Sequence, residues 1–181
     1  GMTTLKNYVN LLNAFVLDAS YREHNLKGNY KDLQKPKIMV LKIGHRGAVG
    51  YEPENTLLSF KKAIELNVDM IELDVHLCKT GEVVVIHDDK VDRTTSGKGF
   101  VLKKTFQALR ALDAGKGQKI PILQEVLDVV DRKAEINIEL KGKGTAKPVF
   151  GIIEKYVKEK AWLYDDFLIS SFNRHELQKF Y

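Results

Sequence analysis

Apolar and polar positions follow two rhythms along this chain. Leu5, Val9, Leu12 and Val16 fall at helical spacing, which predicts an amphipathic helix over residues 4–20. Residues 21–36 are polar, end at Pro36 and read as a connecting loop. From residue 37 onward short apolar runs alternate with helical periods. Ile38 to Ile43 is a buried-strand signal. Thr56 to Leu66 carries Leu57, Phe60 and Ile64 on one helical face, with Asn55 or Thr56 able to cap its start. Asp69 to Leu77 and Val83 to Ile86 read as strands separated by a turn at residues 79–82. A polar, glycine-containing loop follows at residues 92–99. Helices are predicted at Thr105–Leu112, at Leu123–Val130 just after Pro121, at Lys147–Lys158 and at Arg174–Phe180. Strands are predicted at Ala134–Leu140 and Phe167–Ser171.

Strands alternating with helices imply an α/β fold, a mostly parallel sheet with helices outside it. Five strands fit either a doubly wound sheet or part of a (β/α)8 barrel. The link between Val75 and Val83 is too short for the crossover helix that parallel neighbours need, and its pattern alone suggests a hairpin.

Polar residues collect at the strand ends, where α/β folds place their sites. The first strand runs into His45-Arg46-Gly47. The second carries Glu72, Asp74 and His76, the third leads to His87-Asp88-Asp89, and the fourth holds Glu139 and Lys141. Strand side chains alternate faces, so Glu72, Asp74 and His76 share one face while Ile71, Leu73 and Val75 take the other. Buried charges are costly unless paired or bound to a metal. Glu72, Asp74 and Glu139 therefore read as ligands of a hard divalent cation or as a structural network with Arg46 and Lys141. His45 and His87 are candidate acid and base, because histidine titrates near neutrality. Arg46 and Lys141 suit a phosphate, the first as a fork and the second as a point charge. The loop Thr94-Thr95-Ser96-Gly97 is a weak candidate anion cradle. Cys78 and Trp162 read as packing residues.

Composition narrows the class. Hydrophobic residues make up 44% and charged residues 29% of the 181, the balance of a globular chain. The net charge of +5 favours anionic partners without choosing among them. Basic residues are scattered, with no basic arm, and no nucleic-acid partner is expected. A single cysteine excludes an internal disulfide framework and fits a reducing compartment, so a cytoplasmic location is expected. No apolar run approaches the roughly 18–20 residues of a membrane span. Asn7, Asn10 and Asn13 interrupt residues 5–17, which read as a helix rather than a signal peptide. Gly1 ahead of Met2 reads as a remnant of a cleaved tag.

The motifs HRG at 45–47, PENT at 53–56, ELDV at 72–75, HDD at 87–89 and DRTT at 92–95 occur in one register. RALDAG, IPILQEVL, NIELK and ISSF follow downstream. Together they closely resemble the glycerophosphodiester phosphodiesterase family over residues 38–181. The resemblance implies a TIM barrel whose second-to-third strand connection lacks the usual helix. It implies His45 and His87 as the acid–base pair, and Arg46 and Lys141 as phosphate contacts. Glu72, Asp74 and Glu139 are implied as ligands of one Mg²⁺ or Ca²⁺. Glu54, Asn55 and His76 fall at the rim or mouth of the site. The implied reaction is metal-dependent hydrolysis of a small glycerophosphodiester to an alcohol and glycerol 3-phosphate. A lysophospholipase D or sphingomyelinase D-like activity, or non-catalytic phosphodiester binding, are the alternatives.

A TIM barrel typically needs about 250 residues. Residues 37–181 accordingly read as a partial domain with about five of eight strands, and residues 1–36 as a separate helix and loop. Open edges at Ile38–Ile43 and Phe167–Ser171 invite pairing. A fragment, a homo-oligomer completing the barrel, or an edge covered by the N-terminal residues are the three expectations.

Overall fold

A computed structural model describes residues 40–180. The helix and loop read over 4–36 lie outside the described residues. Five strands form one sheet: β1 (Ile43–His45), β2 (Met70–Leu77), β3 (Val83–Val85), β4 (Glu135–Leu140) and β5 (Phe167–Ser170). Five helices flank it: α1 (Leu57–Glu65), α2 (Phe106–Arg110), α3 (Leu123–Val130), α4 (Ala146–Glu159) and α5 (Arg174–Phe180). The architecture is α/β, an open part of a TIM-barrel-type sheet, in which β1, β2, β4 and β5 run parallel in that spatial order.

The short link after β2 is a hairpin. β3 pairs antiparallel with β2, Val75 opposite Val85 and Leu77 opposite Val83. β4 occupies one edge of β2 from Met70 to Val75. β1 and β3 therefore share the other edge, β1 along Met70–Glu72 and β3 along Val75–Leu77. His87 thus reaches the site from the return leg of a hairpin, not from the C-terminal end of a parallel strand.

Among the described residues the first strand starts at Ile43, where the apolar run ends, and Ile38 and Met39 lie outside them. Lys42 is already spent on a turn contact. Its N–H donates to Asp69 Oδ2 at 2.7 Å, and its carbonyl accepts from Asp69 and Met70. Ladder pairing starts only at Ile43. The helix starts follow their caps: Thr56 Oγ1 accepts from Ser59 N–H, and Thr105 Oγ1 from Ala108 N–H.

The outer face of the sheet makes the main core. Ile71, Leu73 and Val75 of β2 and Ile136, Ile138 and Leu140 of β4 are fully buried. Phe60 and Ala63 of α1, Leu123, Val126, Leu127 and Val130 of α3, and Val149, Ile153 and Tyr156 of α4 belong to the same cluster. Each large apolar side chain buried there contributes roughly 1.5–3 kcal/mol. Trp162 is buried and stacks on Phe167 with centroids 5.0 Å apart. A second cluster under the long loop joins Cys78, Val84, Ile86, Val91, Val101, Leu109, Ala114 and Ile120. β3 is split between the two, since Val83 and Val85 face the first and Val84 the second. This second core anchors the hairpin that carries His87. Among the described residues no helix is long and apolar enough to cross a membrane.

Candidate active site

Strand register places the acids. His45 of β1 lies opposite Glu72 of β2, and Asp74 of β2 lies opposite Glu139 of β4. Opposed residues in a sheet project to the same side, so Glu72, Asp74 and Glu139 converge. Each offers a carboxylate oxygen within 4.8 Å of the other two. Asp74 is fully buried and Glu72 nearly so. Burial, reinforced by the Asp74 charge, pushes Glu72 up to about 7. Burial also raises Glu139, although Lys141 opposes it.

The turn after β1 is held in strained geometry. Arg46 has φ 52° and Gly47 φ 81°, both in the left-handed region. An L side chain at Gly47 would meet Ser59 Oγ at 2.5 Å. Three hydrogen bonds fix Arg46. Its N–H donates to Glu72 Oε2 at 2.8 Å, and its carbonyl accepts from Asn55 N–H and Ser59 Oγ, each at 3.0 Å. Its guanidinium Nη1 donates to Glu54 Oε1 at 2.9 Å, and Nε lies 3.6 Å from Asp74 Oδ2. Asn55 Nδ2 donates to the same Asp74 oxygen at 3.0 Å.

The two histidines sit in different environments. The His45 side chain is 63% exposed, with Nε2 3.8 Å from Glu72 Oε2. His87 is held on several sides. Nδ1 is 2.5 Å from Asp88 Oδ1, Nε2 is 3.1 Å from Lys141 Nζ, and its carbonyl accepts from His76 Nε2 at 3.0 Å. A carboxylate at Nδ1 and an ammonium at Nε2 together select the tautomer with the proton on Nδ1. Burial lowers His76, so its ring favours the neutral donor form that this contact uses. Lys141 also lies 3.4 Å from Glu139 and 3.9 Å from Asp74. An open groove of about 570 Å³ leads from Glu139 and Lys141 past Phe172 to His175.

Both readings of the acids thus have support, since Arg46 and Lys141 do approach them. The pairing is incomplete, however. Asp74 Oδ1, Glu139 Oε1 and Asn55 Oδ1 are buried without a hydrogen-bond partner. Orphaned oxygens of this kind are costly, and they match the all-oxygen donor set of a hard divalent cation. The acidic cluster fits such an ion.

Every candidate site residue read from the sequence lies in this region. The Thr94–Gly97 loop does not serve as a cradle. Thr95 Oγ1 donates to Val91 O and accepts from Gly97 N–H, and Ser96 Oγ accepts from Asp113 N–H, so one hydroxyl is spent within the loop and the other ties it to the segment after α2. Sequence reasoning passed over Arg93 and Asp88, although both stand inside quoted motifs. Arg93 donates to both Glu54 oxygens at 2.8 Å and to Asp88 at 2.8 and 3.0 Å. Hydrogen bonds from Arg93 are the main reason that Glu54 and Asp88 both lie below the usual carboxylate range.

The profile of the Glycerophosphoryl diester phosphodiesterase family matches residues 45–180. The chain belongs to this family. A glycerophosphodiester phosphodiesterase from Caldanaerobacter subterraneus is 45% identical over 151 residues, which cover 78% of this chain and 61% of that protein. The crystal structure of a glycerophosphodiester phosphodiesterase from Agrobacterium tumefaciens is similar at a TM-score of 0.72 and 33% identity, covering 78% of this chain and 62% of that one. A phosphodiesterase from Oleispira antarctica, in complex with the product sn-glycerol-3-phosphate, is similar at a TM-score of 0.69 and 34% identity. The match covers 78% of this chain and 61% of that one. The chain thus spans about three fifths of the length of these relatives.

Proposed function

We propose that this chain carries the acid–base and phosphate-binding centre of a divalent-cation-dependent phosphodiesterase, which hydrolyses glycerophosphodiesters to an alcohol and glycerol 3-phosphate. The observation that carries this reading is the convergence of three carboxylates, two cations and two histidines at one mouth, in a member of this family. The glycerol phosphate product bound to the Oleispira antarctica relative supports the choice of product.

Glu72, Asp74 and Glu139 would hold Mg²⁺ or Ca²⁺, which supplies positive charge to the phosphate oxygens. Arg46, fixed by its turn and by Glu54, presents a guanidinium to the phosphate, and Lys141 adds a point charge from β4. His87, with its proton on Nδ1, turns its Nε2 lone pair to Lys141 Nζ at 3.1 Å. It accepts a proton there from the nucleophile once Lys141 moves to the phosphate. The nucleophile is water, or the substrate's neighbouring hydroxyl, whose cyclic phosphate a water then opens. His45, exposed at the mouth, donates a proton to the departing alcohol oxygen as its bond to phosphorus breaks. The groove beside Lys141 gives the alcohol a place to lie.

The test is release of glycerol 3-phosphate from glycerophosphocholine by the 181-residue chain, with Mg²⁺, with Ca²⁺ and with chelator, beside His45→Ala. Turnover is expected with cation and not with chelator, and lower in the variant by roughly 10²–10⁴-fold. Undiminished turnover under chelator or in the variant would overturn the mechanism. Folded protein inert with both cations would overturn the reading for this chain.

A further inference from the structure

We infer that Arg93 is a positioning residue that sets both the His87 imidazole and the Arg46 guanidinium through two intervening carboxylates. Arg93 comes from the loop after β3, remote in sequence from PENT and from β1. Its guanidinium makes four charge-assisted hydrogen bonds. Nε donates to Asp88 Oδ2 at 2.8 Å and Nη2 to Asp88 Oδ1 at 3.0 Å. Nη1 donates to Glu54 Oε2 and Nη2 to Glu54 Oε1, each at 2.8 Å. Two forks on one planar group fix the angle between the two carboxylates, which a lysine ammonium cannot do.

Each carboxylate passes that orientation on. Asp88 Oδ1 takes the Nδ1 proton of His87 at 2.5 Å, and Glu54 Oε1 takes an N–H of Arg46 at 2.9 Å. The oxygen that Arg93 Nη2 holds is in both cases the one that also holds the working side chain. Arg93 is therefore linked to the acid–base group on one arm and to the phosphate fork on the other.

Charge points the same way. Without Arg93, Glu54 and Asp88 would keep two negative charges at the rim with only Arg46 and His87 to answer them. Arg46 would then be drawn towards Glu54 and away from the phosphate position. Arg93 is itself half exposed, and ion pairs made by exposed side chains contribute little to stability, so its removal should leave the fold standing.

Only the kinetic arm of the inference rests on the phosphodiesterase reading. The test combines two readouts on the full chain, for wild type, Arg93→Ala and Arg93→Lys, with thermal unfolding as the check of folding. In ¹⁵N-histidine ring spectra, the His87 ring of wild type is expected in the Nδ1–H form with a strongly deshielded Nδ1 proton. Arg93→Ala is expected to lose that signal and populate the other tautomer. With glycerophosphocholine, Arg93→Ala is expected to lower kcat about 10–100-fold, as a small misplacement of a reacting group does, and to raise KM through Arg46. Millimolar guanidinium should restore part of the kcat, and Arg93→Lys should restore only part of it. An unchanged His87 ring in folded Arg93→Ala would overturn the inference whatever the kinetics show. An altered ring in a chain whose wild type has no turnover would uphold Arg93 as a positioning residue and sink the phosphodiesterase reading instead.

Discussion

The outer face of β2 sends Ile71, Leu73 and Val75 into a core shared with α1, α3 and α4, and all three are fully buried. The inner face of the same strand sends out Glu72, Asp74 and His76, also buried, yet surrounded by charge and by acceptors that lack a partner. Backbone and burial are the same for both. The difference lies in what each face is buried against. Apolar side chains on one face find apolar partners and hold the strand in place. Carboxylates on the other lose their water and also repel each other, which together raise Glu72, and they are tolerated because the outer face keeps the strand where it is. One face contributes stability and the other uses it.

Substitutions one residue apart should separate the two roles. Asp74→Asn is expected to lower cation-dependent turnover by more than about 100-fold, since even the outer-shell partners of a metal ligand are worth 10–100-fold. Unfolding in denaturant should show little loss of stability in the chelated variant. A large loss there would mean that Asp74 is a structural anchor, and the comparison would fail. Leu73→Ala, its neighbour on the other face, is expected to cost about 2–5 kcal/mol in the same denaturant experiment, because the packed helices cannot collapse into the gap. The residual turnover per folded molecule should stay near that of wild type.

Gly47→Ala probes the turn after β1, which ties Arg46 to Glu72 on one side and to Ser59 on the other. The left-handed φ and the 2.5 Å approach to Ser59 Oγ make a loss of about 1–3 kcal/mol the expected result, seen as a lower thermal midpoint. A neutral result would show that the turn relaxes. The smallest effect concerns the rim. Arg93 depresses both Glu54 and Asp88, so their ionised forms favour the folded state. That contribution is present above the unfolded carboxylate values, 4.5 for Glu54 and 3.8 for Asp88, and is lost as pH falls through the lower folded values. Denaturant titrations from neutral to acid pH should show a modest advantage of wild type over Arg93→Ala that shrinks with acidification. A gap that widens in acid would contradict the pairing.

Much of this is legible in the sequence. The period-two pattern of β2 assigned Glu72, Asp74 and His76 to one face, because alternation is a local property of an extended backbone. The bounds of α3 and α5 match their helical periods, and Thr56, one of the two candidate caps, caps α1, whereas Thr105, read as the first residue of its helix, is the cap of α2. The short Val75–Val83 link declared the hairpin through chain length alone. Residues 40–42 stay out of β1, since an apolar run records burial preference and not ladder pairing, and Lys42 is taken by Asp69.

The sequence by itself determined the element order, the split of apolar and acidic residues between the two faces of β2, and the family. Each of these depends on neighbours in the chain or on spaced motifs. Only the tertiary structure decided that Asp74 stands opposite Glu139, that β3 turns back to bring His87 against Lys141, and that Arg93 spans Glu54 and Asp88. Those contacts join residues up to 65 positions apart. Their distances depend on strand register and on a second apolar core beneath the loop, and a linear pattern encodes neither directly.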